Sequence, residues 1–241
     1  MIHVSVIVLA AGKGVRFGPS ISKPLIKINS RPLIIYSLDK LSQNPQTKDI
    51  IVVANRANIK GIRAALKRYK IAKIKDVILG GSRRQDSVHN GLMAISRRTD
   101  LVLIHDAARP FINQEEISRV IKEAKRFGAA ILGVPVRATV KKVTRSPGHQ
   151  VTSLIVKKTI NRGNLWQIQT PQVFKKDLIL KAYKKFGHSE VTDDAMLVEK
   201  LGLPVRVVAG SYLNIKITTS EDLIIAKAIL KAKNVKRKTQ N

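Results

Sequence analysis

The sequence predicts an α/β fold: a doubly wound, mostly parallel sheet with helices on both faces and one inserted β-hairpin arm. Three observations carry that expectation. Short apolar runs rich in Val and Ile alternate with stretches of helical spacing along most of the chain. The first run, VSVIVL, enters a turn built from Ala10, Ala11, Gly12 and Gly14, small residues that let backbone approach a ligand. The alternation breaks once, at residues 137–164, where Val/Thr/Lys segments flank Ser146, Pro147 and Gly148 in a hairpin pattern.

In chain order, residues 4–9 are a short, continuous β-branched run, which marks a central strand of a parallel sheet. Residues 32–42 have helical spacing, 50–53 read as a strand, 59–69 as an amphipathic helix and 77–79 as a strand. Residues 85–95 are again helical, 101–104 form a buried strand, and 115–127 form a helix closed by Phe127-Gly128. The next strand is 129–134. Beyond the arm, helices are expected at 176–186 and 193–201, the second capped by Thr192 with acidic residues in its first turn. Strands at 205–208 and 214–217 precede a last helix capped by Thr219 or Ser220. One domain thus spans 1–136 and 165–232, the arm is an insertion at 137–164, and the basic tail 233–241 is expected to fray. A two-stranded ribbon is marginal alone, so the arm is expected to pack on a second copy of the chain, giving a homodimer.

With 241 residues, 44% of them hydrophobic, the chain can bury one large core. It has no cysteine, which rules out disulfides and thiolate metal sites and agrees with a reducing, cytoplasmic location. The apolar run at the start is too short to span a bilayer and lacks a preceding basic region, so it reads as neither membrane helix nor signal peptide. The net charge of +29, from 45 basic against 16 acidic residues, raises the question of nucleic acid. However, the cations recur along almost every segment and aromatics make up only 4%, unlike a surface that stacks bases. A solvated basic surface is expected, with neither a specific nucleic-acid partner nor a membrane partner.

Four clusters fall just after predicted strands, where open α/β sheets bind ligands. The first is the opening loop, in which Arg16 and Lys23 add charge to a turn whose N–H groups suit phosphate oxygens. It is not a Walker A loop, since Pro19 follows Gly18, and Phe17 stands where a dinucleotide fingerprint needs its third glycine. The second cluster is Gly80-Gly81-Ser82-Arg83-Arg84-Gln85-Asp86-Ser87, whose backbone donors and Ser87 hydroxyl suit a base or a phosphate. The third, His105-Asp106-Ala107-Ala108-Arg109-Pro110, puts a carboxylate at a strand end, where Mg2+ can be held with substrate phosphates. The fourth is Asn214-Ile215-Lys216. Each has a plainer reading: a tight turn with solvated cations, a helix cap by Ser82, an Asp106–Arg109 structural pair, and an exposed lysine. Taken together, they lack the histidine pairs and serine elbow of hydrolases and offer the parts of phosphoryl or nucleotidyl transfer. The five histidines are expected in core or surface roles.

These elements resemble the 2-C-methyl-D-erythritol 4-phosphate cytidylyltransferases of isoprenoid precursor synthesis. The likeness lies in LAAGKGVRF with Lys23, GGSRRQDSV, HDAARPF, VPVRATVKKV, LWQIQTPQVF, TDDA and NIKIT, in the family's order. The resemblance implies a Rossmann-like nucleotidyltransferase fold and transfer of a cytidylyl group from CTP to methylerythritol phosphate, with Mg2+ and release of pyrophosphate. It implies catalytic roles for Arg16, Lys23 and Lys216, and CTP contacts at Ala10, Ala11, Gly12, Lys13, Gly14, Gly81, Ser82, Arg84 and Ser87. Acceptor contacts are implied at Asp106, Ala107, Thr139, Arg162 and Thr170, with Asp106 also the metal-associated carboxylate and the arm residues acting from the partner subunit. Serine and proline flank Lys23 where the family commonly has Pro-Lys-Gln, and Arg83, Ala138 and Asn161 stand where it commonly has acidic residues. A ribitol 5-phosphate cytidylyltransferase is the nearest alternative.

Overall fold

The computed structural model describes residues 2–12, 22–145 and 154–238. Strand β1 (Val4–Leu9) is followed by a 3-10 turn at Lys23–Leu25 and a small hairpin, β2 (Lys27–Ile28) with β3 (Arg31–Pro32). Next come α1 (Leu33–Gln43), β4 (Thr47–Ala54), α2 (Ile59–Tyr69), β5 (Ile74–Leu79), α3 (Arg84–Ala94) and β6 (Leu101–Asp106). Helix α4 (Gln114–Phe127) and β7 (Ala129–Pro135) lead to β8 (Val140–Arg145), β9 (Leu154–Ile160) and β10 (Trp166–Lys175). The remainder is α5 (Lys176–Phe186), α6 (Ala195–Glu199), β11 (Arg206–Ala209) and α7 (Ser220–Lys238).

Seven strands form one sheet in the order β11-β7-β10-β6-β1-β4-β5. All neighbours pair in parallel except β10, which runs antiparallel to both β6 and β7. The two-residue period of a strand divides the core between the faces. Val4, Val6 and Val8 of β1, with Ile50 and Val52 of β4, meet α1, α2 and α4. Ile7, Ile51, Val53, Val102 and Ile104 meet α3, α5 and α6 on the other side. Helix α4 starts on a reciprocal cap, in which Asn113 accepts the Glu116 N–H at 2.8 Å and Glu116 accepts the Asn113 N–H at 3.1 Å. It ends at Gly128, whose φ of 93° only glycine adopts without strain. Strands β8 and β9 form a separate antiparallel ribbon; the turn expected at Ser146 to Gly148 lies outside the described residues.

Four expectations need correction. Residues 166–175, read only as a motif, are a central strand, and the ladder to β7 shifts between Ile168 and Gln172 around Pro171, which has no N–H to donate. Residues 214–217 are not a strand. The Asn214 side chain donates to Gln169 Oε1 at 3.2 Å and to the Thr170 carbonyl at 3.0 Å, while the Ile217 N–H donates to the Ala108 carbonyl at 2.8 Å. Side-chain ties thus take the place of a ladder. Nor does Thr192 cap α6: the helix begins after Asp194, and Asp193 Oδ1 accepts the Met196 N–H at 3.1 Å. The tail expected from residue 233 continues α7 as far as Lys238. Among the described residues, no helix is long and apolar enough to cross a membrane.

Candidate active site

Above the carboxyl ends of β1, β4, β5 and β6 lies a cavity of about 830 Å3, a size suited to a nucleotide. Its floor is the loop after β1, held by neighbours. The Ala10 N–H donates to the Val53 carbonyl at 2.7 Å, and Asn55 and Asn58 donate to the Ala11 and Ala10 carbonyls at 3.0 and 2.9 Å. The loop after β5 comes close beside it. A Cβ on Gly80 would lie 2.5 Å from Ser87 Oγ and 2.8 Å from the Ala11 Cβ, so this approach requires glycine. Ser87 shapes the turn, accepting the Gly81 N–H and donating to the Arg83 carbonyl, both at 3.2 Å. Ser82 does not cap α3; it donates to Asp86, which also accepts the Arg83 N–H.

Lys23, Arg56, Arg83, Arg84 and Lys216 line the cavity, with Asp106 the one carboxylate among them. Such a lining concentrates positive potential and suits a polyanion. Burial of Ile217 and its bond to Ala108 deliver the adjacent Lys216 to Asp106, with Nζ 2.6 Å from Oδ2. Arg84 approaches the other oxygen less closely, with Nε 3.8 Å from Oδ1. Burial alone would raise the Asp106 carboxyl, but Lys216 and then Arg84 outweigh it and hold the group well below the usual carboxylate range.

Behind Asp106 a chain of hydrogen bonds fixes the loop. The Asp106 N–H donates to Thr170 Oγ1 at 3.1 Å, Thr170 Oγ1 lies 3.2 Å from His105 Nδ1, and His105 Nε2 lies 3.1 Å from the Arg109 carbonyl. Desolvation pushes the His105 pKa down to about 4, so the ring is neutral, with Nε2–H donating to Arg109 and Nδ1 accepting from Thr170. Below pH 6.5 the unfolded chain takes up a proton that the native chain refuses, so stability falls from pH 6.5 to about 4 and then levels off. The loss over that range is expected to be about 3 kcal/mol, read by urea unfolding across the range. His105→Asn should flatten this part of the profile; an unchanged slope would assign the loss to other groups.

A family model described as IspD, 2-C-methyl-D-erythritol 4-phosphate cytidylyltransferase, matches residues 4–232. The chain belongs to the 2-C-methyl-D-erythritol 4-phosphate cytidylyltransferase family. A member from Desulforamulus reducens is 44% identical over 235 residues, covering 96% of this chain and 97% of that one. Another from Syntrophus aciditrophicus is 43% identical over 231 residues, covering 95% and 96%. The crystal structure of 4-diphosphocytidyl-2C-methyl-D-erythritol synthase from Anaerococcus prevotii superposes with a TM-score of 0.81 at 34% identity, covering 95% and 96%.

Of the residues that the family pattern singles out, Ala10, Ala11, Gly12, Lys23, Gly81, Ser82, Arg84, Ser87, Asp106, Ala107 and Lys216 line this cavity. Lys13, Gly14 and Arg16 lie outside the described residues. Thr170 stands behind Asp106. Thr139 and Arg162 are exposed at the base of the arm, where Arg162 donates to the Arg137 carbonyl, and neither lines the cavity. Sequence reasoning missed Asn55, Arg56 and Asn58, although a polar NRAN string after a strand is a signal of a loop that ties backbone.

Proposed function

We infer that this cavity transfers a cytidylyl group from CTP to 2-C-methyl-D-erythritol 4-phosphate, giving 4-diphosphocytidyl-2-C-methyl-D-erythritol and pyrophosphate. The observation that carries the inference is the Asp106–Lys216 pair at 2.6 Å inside a nucleotide-sized, cation-lined cavity of this family's fold. An oxygen of the acceptor phosphate attacks the α-phosphorus, and the bond to the bridging oxygen of pyrophosphate breaks. That phosphate is largely dianionic at neutral pH, its second pKa being about 6, and no general base is required. Catalysis is then positioning and charge stabilisation.

In this reading the backbone around Ala10, Ala11, Gly12, Lys13, Gly14, Gly81, Ser82 and Ser87 holds the nucleotide, with Arg84 beside it. Arg16 and Lys23 brace the triphosphate, and Lys216 faces the α-phosphate. Asp106 and Ala107 border the acceptor. Among the described residues, no cluster of three His, Asp or Glu forms a complete metal cage. A single ionised carboxylate beside a phosphate site suits Mg2+, which takes most of its ligands from phosphate and water and would neutralise phosphate charge there.

Thr139 and Arg162 contact the acceptor from a partner subunit, while Thr170, buried behind Asp106, serves the acceptor side by holding the Asp106 backbone. The ribbon exposes Val143, Leu154, Ile155 and Val156, with Leu154 at 63%, and these are the side chains that a second copy would cover. Mixing subunits tests this. Lys23→Ala and Arg162→Ala are each expected to be nearly inactive, and their heterodimer should regain one working site, since only one cavity then has both an intact lysine and an intact partner arm. No regain would place the arm over its own subunit. Nucleotide choice is tested by pyrophosphate release with Mg2+, the acceptor and each of the four nucleoside triphosphates; release is expected with CTP, and a preference for another nucleotide would overturn the reading.

A further inference from the structure

Asp194 is a fully buried carboxylate to which the proposed reaction assigns no role. Burying a charge is costly unless it is paired and hydrogen-bonded, and Asp194 has both. Its Oδ2 lies 2.8 Å from Arg84 Nη2, and its Oδ1 accepts from the Tyr183 hydroxyl at 2.6 Å. Burial first, and then the Asp194 charge, push the Tyr183 phenol far up, so it stays an O–H donor. The backbone at this point is fixed as well. Gln172 Oε1 accepts the N–H groups of Asp194 and Ala195 at 3.2 and 3.3 Å, while Gln172 Nε2 donates to Asp193 at 2.7 Å. Gln172 lies in the middle of β10, paired with Ile104 of β6, the strand that ends in Asp106. One rigid frame therefore carries both Asp194 and Asp106.

Arg84 stands between these two carboxylates and is unequally shared. It is 2.8 Å from Asp194 but 3.8 Å from Asp106 Oδ1, beyond the 2.7–2.9 Å of a closed guanidinium–carboxylate contact. Lys216 already occupies Asp106 Oδ2. Without a competitor, Arg84 would close on Oδ1 and leave Asp106 with neither oxygen open to the cavity. We propose that Asp194 is a positioning residue that draws Arg84 off Asp106 and so keeps Oδ1 available to the cation and phosphates of the reacting complex. The proposal rests on cytidylyl transfer taking place in this cavity.

The test is Asp194→Asn, read in three ways. In its crystal structure Arg84 should close to hydrogen-bonding distance of Asp106 Oδ1; this readout needs no activity, and an unmoved Arg84 overturns the proposal. The affinity of the CTP complex for Mn2+, followed by electron paramagnetic resonance, and the turnover should each fall by about 10- to 100-fold, as for other residues that orient a ligand from behind. CTP affinity, to which Arg84 also contributes, should fall by a clearly smaller factor than Mn2+ affinity; an equal fall would overturn the proposal. In an Arg84→Gln background, adding Asp194→Asn should leave turnover unchanged and raise the melting temperature, because it relieves a stranded buried charge. A bridge that merely staples α3 to α6 would instead lower stability with Mn2+ affinity and turnover intact, and losses that multiply in the double variant would likewise overturn the proposal. If Asp194→Asn alone does not fold, Tyr183→Phe loosens the same carboxylate and should weaken Mn2+ binding by a smaller factor; no change would count against the idea. Absence of CTP-dependent turnover in the unaltered protein would sink the functional reading and leave the crystallographic test standing.

Discussion

Asp106→Asn is expected to lower turnover by about 10²- to 10³-fold while CTP affinity changes little, the pattern of an interaction that strengthens as charge moves. The substitution keeps the size and the backbone N–H bond to Thr170 but removes the only carboxylate among the described residues that line the cavity. Lys216 then faces the acceptor without its anion, while Arg84 keeps Asp194. Lys216 is 40% exposed, so solvent compensates it in part, and the cost in stability should be only about 1–2 kcal/mol. Steady-state kinetics beside CTP titration checks this. A rise in the KM for CTP with unchanged kcat would place Asp106 in nucleotide binding alone.

Lys216→Ala is expected to have a comparable effect, again about 10²- to 10³-fold in kcat, for the complementary reason. It removes the cation nearest Asp106 and frees Oδ2, so the Asp106 carboxyl loses the charge that does most to hold it ionised. Because the two residues act as one pair, the double variant should be little worse than either single one, a non-additivity that kcat measured across the four-enzyme cycle reads directly. Multiplicative losses would mean that the two side chains serve separate steps. Lys216→Arg should recover little, since a planar fork cannot reproduce a point charge at 2.6 Å from one oxygen.

Helices α2 and α5 fall at the limits that their sequence spacing predicts, because an amphipathic stripe is a local property written within eleven residues. Strand β10 was not legible for the opposite reason. Its partners β6 and β7 are distant in the chain, and Pro171 argues against a central strand unless the ladder is known to shift there. The same holds for residues 214–217, whose alternating pattern looks like a strand while their fixed points are the side chains of Asn214 and Gln169. The cavity floor was largely readable, because small residues and cations after strands announce a phosphate site. What set Arg84 was not, since Asp194, Tyr183 and Gln172 come from three separate elements and meet only on folding.

The central claim is tested most directly by identifying the product. The protein with Mg2+, CTP and either 2-C-methyl-D-erythritol 4-phosphate or ribitol 5-phosphate is followed by phosphorus NMR and mass spectrometry. The expected result is a new diphosphate diester joining cytidine to the methylerythritol, formed together with pyrophosphate and much faster than any ribitol product. Formation of the ribitol product at an equal or greater rate, or no diester with either acceptor, would contradict it.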